Sequence, residues 1–143
     1  MAAITRITAQ VRTGNRNGAG TDGEIYLGFG GREFHLDSSA DDFEQNSTRT
    51  YVMGEFVPGE TVVNNAARND PRVDYVLMSE FSDKFPTYLR FDPAGDSPDW
   101  NLESVTVSTH SHATPLATYT NLGGSNNLWL GTGFGKYCYM LKV

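Results

Sequence analysis

The sequence predicts an all-β protein that folds as one antiparallel β-sandwich, and three observations support this prediction. Apolar and polar residues alternate with a period of two in many short segments, as in strands with one buried face. Fifteen glycines and pairs such as Asn-Gly, Gly-Gly and Asp-Pro separate these segments. The chain has 143 residues, which is enough for one domain with a substantial core but too few for two. We therefore expect a single domain over residues 1–143.

The predicted strands follow one another at short intervals along the chain. In the first, Ile7, Ala9 and Val11 point to one face and the polar residues between them point to the other. The second and third contain the apolar pairs Ile25/Leu27 and Phe34/Leu36. The later predicted strands are residues 50–57, 75–81, 88–92, 102–109, 116–120, 128–130 and 137–143. Short, evenly spaced strands of this kind favour a sandwich.

Two longer connections separate the predicted strands, residues 58–85 and 109–118. The stretch 62–68 favours a helix, because it contains Ala66 and Ala67. Pro71 disfavours helical geometry at Asp70 and so limits any helix here. We expect at most one short helical turn in this connection.

Composition excludes several classes of function. Seventeen acidic residues against eleven Lys and Arg give a net charge of −6, so nucleic acid is not expected as a partner. The single cysteine, Cys138, excludes an internal disulfide. No apolar run is long enough to cross a membrane and no signal peptide is recognisable, so we expect a soluble protein. No nucleophile motif is present, and we do not expect an enzyme.

The acidic residues gather in three loops at strand ends. They are Asp22; Asp37, Asp41, Asp42 and Glu44; and Asp92, Asp96 and Asp99. Loops at one end of a sandwich converge, and two carboxylates about 5 Å apart repel by roughly 3 kcal/mol at an effective dielectric constant of about 20. A convergent cluster therefore favours a bound cation, and oxygen ligands favour calcium over zinc or copper. The alternative is that these residues are solvated turn formers.

Three segments resemble the signatures of the PLAT (lipoxygenase-homology) domain family, which is also found in polycystins, lipases and clostridial alpha-toxin. They are residues 19–27, AGTDGEIYL; residues 34–37 with 41–47, FHLD and DDFEQNS; and residues 98–107, PDWNLESVTV. The signature segments cover most of residues 7–57 and 88–109. The resemblance implies an eight-stranded β-sandwich that contacts lipid or a partner protein, often with calcium at one loop end.

The resemblance also implies a set of calcium ligands. Asp22, Asp37, Asp41 and Asp42 match acidic ligands, and we favour the site that these four residues form. The remaining matched positions are Gly20, Thr21 and Ala40, which would offer backbone oxygens, and Asp99, an acidic ligand in the third loop. Gly18 stands where some calcium-binding members have Asp, which weakens a site shared by the first and third loops.

We therefore expect a non-catalytic, calcium-binding module that targets a lipid surface or a protein partner. Trp100, which follows Asp99, is a candidate for lipid contact, because amphipathic rings favour a membrane interface. The alternative for Trp100 is packing at the top of the core. The alternatives for the function are a carbohydrate-binding sandwich with structural calcium and an accessory domain of an enzyme.

Overall fold

The structure is a computed structural model, and it describes residues 2–95, 98–121 and 128–143. The β-strands in these ranges are β1 (Arg6–Thr13), β2 (Glu24–Phe29), β3 (Arg32–His35), β4 (Thr48–Gly54), β5 (Thr61–Val62), β6 (Tyr88–Asp92), β7 (Asp99–Ser111), β8 (Thr114–Thr120), β9 (Leu128–Gly131), β10 (Tyr137–Tyr139) and β11 (Leu141–Lys142). Eight of them have four residues or more, since only β5, β10 and β11 are shorter. The predicted all-β class and sandwich fold are confirmed.

The strands form two sheets. The larger sheet has the order β11-β8-β7-β1-β4-β5, with β9 also paired to β7, and the smaller sheet has the order β10-β6-β2-β3. All pairs are antiparallel except β4 and β5, which run parallel. The short β10 and β11 follow each other in sequence, so the C-terminal segment passes from the edge of one sheet to the edge of the other.

The core lies between the inner faces of the two sheets. The alternation seen in the sequence determines it: Ile7, Ala9 and Val11 of β1 are buried, and so are Ile25 and Leu27 of β2. Side chains of β3, β4, β6, β7, β8, β9 and β10 belong to the same cluster. Each large apolar side chain buried in this way stabilises the fold by about 1.5–3 kcal/mol.

Three local predictions are corrected by the structure. Residues 109–118, predicted as a longer connection, lie mostly in strands, because β7 and β8 pair up to Ser111 and Thr114 and leave a two-residue turn between them. The predicted strand over 75–81 is wrong: Ser79–Asp83 is a 3-10 helix, the only helix in the described residues. The backbone of this segment bonds to the N-terminal residues instead of a sheet, through Ser79 N to Ala2 O at 2.8 Å and Ile4 N to Leu77 O at 2.8 Å. The short helical turn therefore exists, but not at residues 62–68.

Residues 64–69 form consecutive turns rather than a helix. Asn65 has a φ of 53°, which is left-handed and incompatible with a right-handed helix. Asn tolerates that conformation better than other side chains do, because its short polar group bonds locally. In the described residues, no helix is long and apolar enough to span a bilayer.

The acidic loops lie at one end of the sandwich, as a consequence of how the strands pair. At this end β1 finishes where β4 and β7 start, because Arg12 pairs with Thr48 and Thr13 pairs with Leu102. In the other sheet, the start of β2 at Glu24 pairs with the end of β6 at Asp92. The connections that follow β1 and β3 therefore meet at one end of the molecule.

Candidate cation site at one end of the sandwich

The loops at this end enclose an open polar cleft of about 180 Å³. Its lining includes five carboxylates from segments that are distant in sequence: Asp22, Glu24, Asp37, Asp41 and Asp42. We call this feature the acidic cleft. Thr21, Gly23, Ala40 and Phe43 complete the lining.

Backbone hydrogen bonds hold the loop after β1 against the loop before β4. Thr21 N donates to Phe43 O at 3.2 Å, and Asn46 N donates to Gly14 O at 2.9 Å. Gly20 lies where the two loops touch, and a Cβ there would come within 2.9 Å of Gln45 N. A side chain at this position would push the two walls of the cleft apart. Gly20 therefore allows the two loops to approach each other behind the cleft, but it does not line the cleft.

Asp42 is the most strongly held carboxylate of the cleft. Its Oδ1 accepts hydrogen bonds from Ser38 Oγ at 2.7 Å and from the Tyr51 hydroxyl at 2.7 Å, and its Oδ2 accepts one from Ser38 N at 2.8 Å. The side chain is only 8% exposed, and Arg49 Nε lies 4.0 Å away. Burial, together with the bond to Asp42, raises the pKa of Tyr51, so its hydroxyl stays a donor. A carboxylate has about four lone-pair sites, so Asp42 retains roughly one for a further ligand.

Asp37 connects the acidic cleft to the long connection that follows β5. Asn64 Nδ2 donates to Asp37 Oδ2 at 2.9 Å, and Asn64 N donates to Asp37 O at 2.8 Å. Sequence patterns did not single out Asn64 or Glu24. A sign for Glu24 existed, because it lies inside the matched segment 19–27, two positions after Asp22. No local pattern indicates Asn64, since its contact spans 27 positions.

Like charges remain close together at the exposed rim of the cleft. A hydrogen bond with Asp41 raises the pKa of the Glu44 carboxyl, and the charges of Asp41 and Asp22 raise it further. Glu44, Asp41 and Asp22 are all exposed. This rim therefore holds carboxylates that would gain from a neutralising cation.

The structure brings six of the predicted positions to the cleft: Thr21, Asp22, Asp37, Ala40, Asp41 and Asp42. Asp99 does not line it, because it starts β7 opposite Gly131. Asp96 lies outside the described residues. Within the ranges that the structure covers, no three His, Cys, Asp or Glu side chains are grouped closely enough to hold a metal ion.

Trp100 belongs to the core and is fully buried. Its Nε1 donates to Thr13 Oγ1 at 2.9 Å, and its ring packs edge-on against Phe43 at 5.5 Å between centroids. Phe43 is buried as well, in a left-handed conformation with φ of 59°. Trp100 therefore has no exposed surface for a lipid, and the core alternative holds.

The two sheets and the loops at one end define the chain as a β-sandwich domain. The chain belongs to the PLAT/LH2 domain family, because the family model matches residues 7–120, which is more than half of the chain. PLAT domains are non-catalytic β-sandwich modules of toxins and lipoxygenases, and they are linked to interactions with membranes, lipids or proteins.

Solved structures with the same fold include two clostridial toxins. The alpha toxin of Clostridium absonum is 19% identical, with 96% of this chain and 31% of the toxin covered and a TM-score of 0.59. The alpha-toxin of an avian strain of Clostridium perfringens is 17% identical, with 96% and 31% covered and a TM-score of 0.57. A lipoxygenase variant in complex with arachidonate is 19% identical, with 96% and 16% covered and a TM-score of 0.55.

The chain spans less than a third of the length of each of these neighbours. At this identity the likeness establishes the fold only. No curated protein sequence matches the chain.

Proposed function

We propose that the acidic cleft binds calcium and that the bound ion attaches this PLAT domain to a lipid surface. The observation that carries the proposal is the convergence of five carboxylates from two chain segments, residues 22–24 and 37–42, on one cleft. The protein has a net charge of −6, so an anionic lipid surface repels it unless a cation intervenes. Calcium bound between loop carboxylates would neutralise part of the local negative charge and leave coordination sites for lipid phosphate oxygens.

The donor chemistry of the cleft fits calcium. Its lining offers carboxylate, hydroxyl and backbone oxygens, which are hard ligands that calcium prefers. Asp42 and Asp37 would form the fixed side of the site, since hydrogen bonds already orient both. Asp22 and Asp41 are exposed and would rotate onto the ion, which costs little because their side chains are short.

The domain would attach to the lipid surface through electrostatic contacts and not by inserting side chains into the bilayer. The aromatic residues of the signature loops, Phe43 and Trp100, are both buried and cannot wedge into a bilayer. Binding that depends on ion bridging weakens with salt, because the Debye length falls from about 10 Å at 0.1 M to about 3 Å at 1 M. We therefore expect vesicle binding that needs calcium and declines steeply with added sodium chloride.

Vesicle sedimentation tests the proposal. Wild-type protein is mixed with vesicles of phosphatidylcholine alone or with phosphatidylserine, in calcium or in EDTA. We expect sedimentation with the anionic vesicles in calcium and its loss in EDTA. Asp41→Asn removes one exposed carboxylate and should weaken sedimentation, whereas Asp74→Asn, an exposed acid outside the cleft, should not.

Two results would contradict the proposal. Calcium that leaves both the melting temperature and the sedimentation of wild type unchanged would mean that the acids are solvated turn residues. If calcium raises the melting temperature but the protein binds no vesicles, the calcium site would stand and a protein partner would be favoured over a lipid.

A further inference from the structure

The outer face of the four-stranded sheet carries aromatic rings in two adjacent rows. Strand register puts Tyr139 opposite Tyr88 and Tyr88 opposite Gly28, and in the next row it puts Tyr137 opposite Arg90 and Arg90 opposite Tyr26. The second row continues to His35 on β3. We call this surface the tyrosine face, defined by Tyr26, His35, Tyr88, Arg90, Tyr137 and Tyr139.

The central side chains of the tyrosine face are held in place by one another. The ring of Tyr88 lies over Gly28, where an added Cβ would come within 2.1 Å of a ring carbon. The Tyr88 hydroxyl donates to Glu33 Oε2 at 2.8 Å. Glycine at position 28 is therefore needed for the ring to lie flat across the sheet.

Arg90 and Tyr26 extend the same arrangement. Arg90 donates to Glu33 twice, from Nε at 2.9 Å and from Nη2 at 2.8 Å, and its guanidinium lies 4.2 Å from the centroid of the Tyr26 ring. On its other side Tyr26 stacks on His35 at 4.8 Å between centroids. Rings fixed in this way lose little conformational entropy when a ligand binds.

Two rings at the end of the face are open to solvent. Tyr137 and Tyr139 are 48% and 64% exposed, and their rings lie nearly parallel, at an angle of 12° and 6.0 Å between centroids. Both pack edge-on against Tyr88, at 5.4 Å and 6.1 Å. Three adjacent phenol rings are thus in contact with one another on the outer side of the sheet.

The charges of the tyrosine face are paired internally. Glu33 forms an ion pair with Arg90, and the Glu24 carboxylate contacts Nε2 of His35, so each of these two carboxylates already has a partner. The groups still have hydrogen-bonding capacity, because Arg90 uses two of its five donors and Glu33 uses three of about four lone-pair sites. Such a surface suits a neutral ligand that is rich in hydroxyl groups.

We propose that the tyrosine face binds a neutral oligosaccharide, with Tyr137, Tyr139 and Tyr88 stacking on the C–H faces of sugar rings and with Glu33 and Arg90 bonding to hydroxyl groups. A pyranose offers both features at once, an apolar face and a rim of groups that donate and accept. An acyl chain fits less well, since the face has phenols and charged groups instead of aliphatic side chains. A protein partner would have to pair with charges that already neutralise each other.

This inference does not depend on calcium or on the acidic cleft, because none of the six residues that define the tyrosine face lines that cleft. Failure of the two proposals is therefore distinguishable. Oligosaccharide binding should persist in EDTA, where vesicle binding is lost. It should also persist in Asp41→Asn.

Native affinity electrophoresis of the full chain tests the inference. The gels contain galactomannan, xyloglucan, mixed-linkage β-glucan or soluble starch, each with EDTA, and alginate serves as the anionic control. We expect retardation in at least one of the four neutral gels and none in alginate. Tyr139→Ala and Tyr137→Ala should each weaken the apparent affinity about tenfold, which is what one aromatic stacking contact provides.

Matched variants separate ring stacking from a general structural effect. Tyr139→Phe keeps the ring and should lose no more than about threefold. Tyr75→Ala removes another exposed tyrosine, in the connection between β5 and β6, and should behave as wild type. Thermal melts confirm that each variant is folded.

Several results would overturn the inference. Wild type that is not retarded in any neutral gel is one of them, and equal retardation of wild type and both alanine variants is another. Calcium-dependent vesicle binding that is lost in Tyr139→Ala would make the face a lipid contact. A dimer in sedimentation equilibrium that Tyr139→Ala dissociates would mean that a second copy covers the face.

Discussion

The acidic cleft and the tyrosine face differ in whether their charged groups have partners of opposite sign. In the cleft, Asp41 raises the pKa of Glu44, so like charges stay close together without compensation. On the tyrosine face, hydrogen bonds from Arg90 lower the pKa of Glu33, and every central charge has a partner. The first arrangement gains from an added cation, whereas the second already has its ions neutralised and offers rings and hydrogen bonds. One sandwich therefore presents two surfaces with different binding chemistry.

The largest expected effect is the stabilisation of the cleft by calcium. At about one hundred times its dissociation constant, calcium should stabilise the folded state by roughly 2.7 kcal/mol. For a domain of this size, that raises the melting temperature by on the order of 10 °C. Magnesium should do less, because it demands octahedral geometry and loses water reluctantly. Scanning calorimetry with each ion measures the shift, and Tyr139→Ala should respond to calcium as wild type does.

The next largest effect is the loss of stability that Asp42→Asn causes in the calcium-free protein. Asp42→Asn replaces one acceptor oxygen with a donor, in contact with Ser38 and Tyr51, and should destabilise the fold by about 1–3 kcal/mol. Asp41→Asn should be neutral or slightly stabilising, because it relieves repulsion from Glu44 and Asp22 at an exposed site. Urea unfolding of both variants in EDTA gives the comparison. Equal stabilities would mean that the hydrogen bonds of Asp42 contribute nothing.

A smaller effect is expected at the centre of the tyrosine face. Gly28→Ala introduces a Cβ where the Tyr88 ring lies, and moving that ring should cost about 1 kcal/mol. In a Tyr88→Ala background the same substitution should be neutral or stabilising, because alanine suits a strand better than glycine. A double-mutant cycle by urea unfolding isolates this coupling. Additive effects of the two substitutions would contradict the contact between ring and glycine.

The smallest effects concern pH, and they have opposite signs in the two regions. Arg90 lowers the pKa of Glu33 below its ordinary value of 4.5. Ionised Glu33 therefore stabilises the fold above pH 4.5, and this stabilisation is lost as the pH falls through the pKa of the folded state. The pKa of Glu44 is raised, mainly by Asp41, so its ionisation destabilises the fold as the pH rises above 4.5. Stability profiles between about pH 3 and 7 should therefore change in opposite directions for Glu33→Gln and Glu44→Gln.

These profiles are best compared with wild type in EDTA, where no ion masks the effect at Glu44. Glu33→Gln should flatten the acid limb of the profile. Glu44→Gln should remove a decline above the ordinary glutamate value. Two variants that change the profile in the same direction would show that the charges of the two regions are not organised as described.

Local sequence patterns predicted a large part of the fold and of the acidic cleft. Alternation in β1, β2 and β6 predicted those strands, because one face of each is buried in the core. The spacing of Asp37, Asp41 and Asp42 predicted neighbouring carboxylates, since residues within one short loop cannot separate far. Prediction failed at residues 75–81, where the backbone bonds to the N-terminal residues instead of joining a sheet.

The sequence by itself determined the β class, the core residues and the acidic composition of the loops, because each of these depends on residues close together in the chain. Only the tertiary structure decided that Asp42 is held by Tyr51, that Asn64 reaches Asp37 and that Trp100 is buried. It also decided the tyrosine face, whose rows join four strands between residues 26 and 139. Strand order and register create such contacts, and no local pattern encodes them.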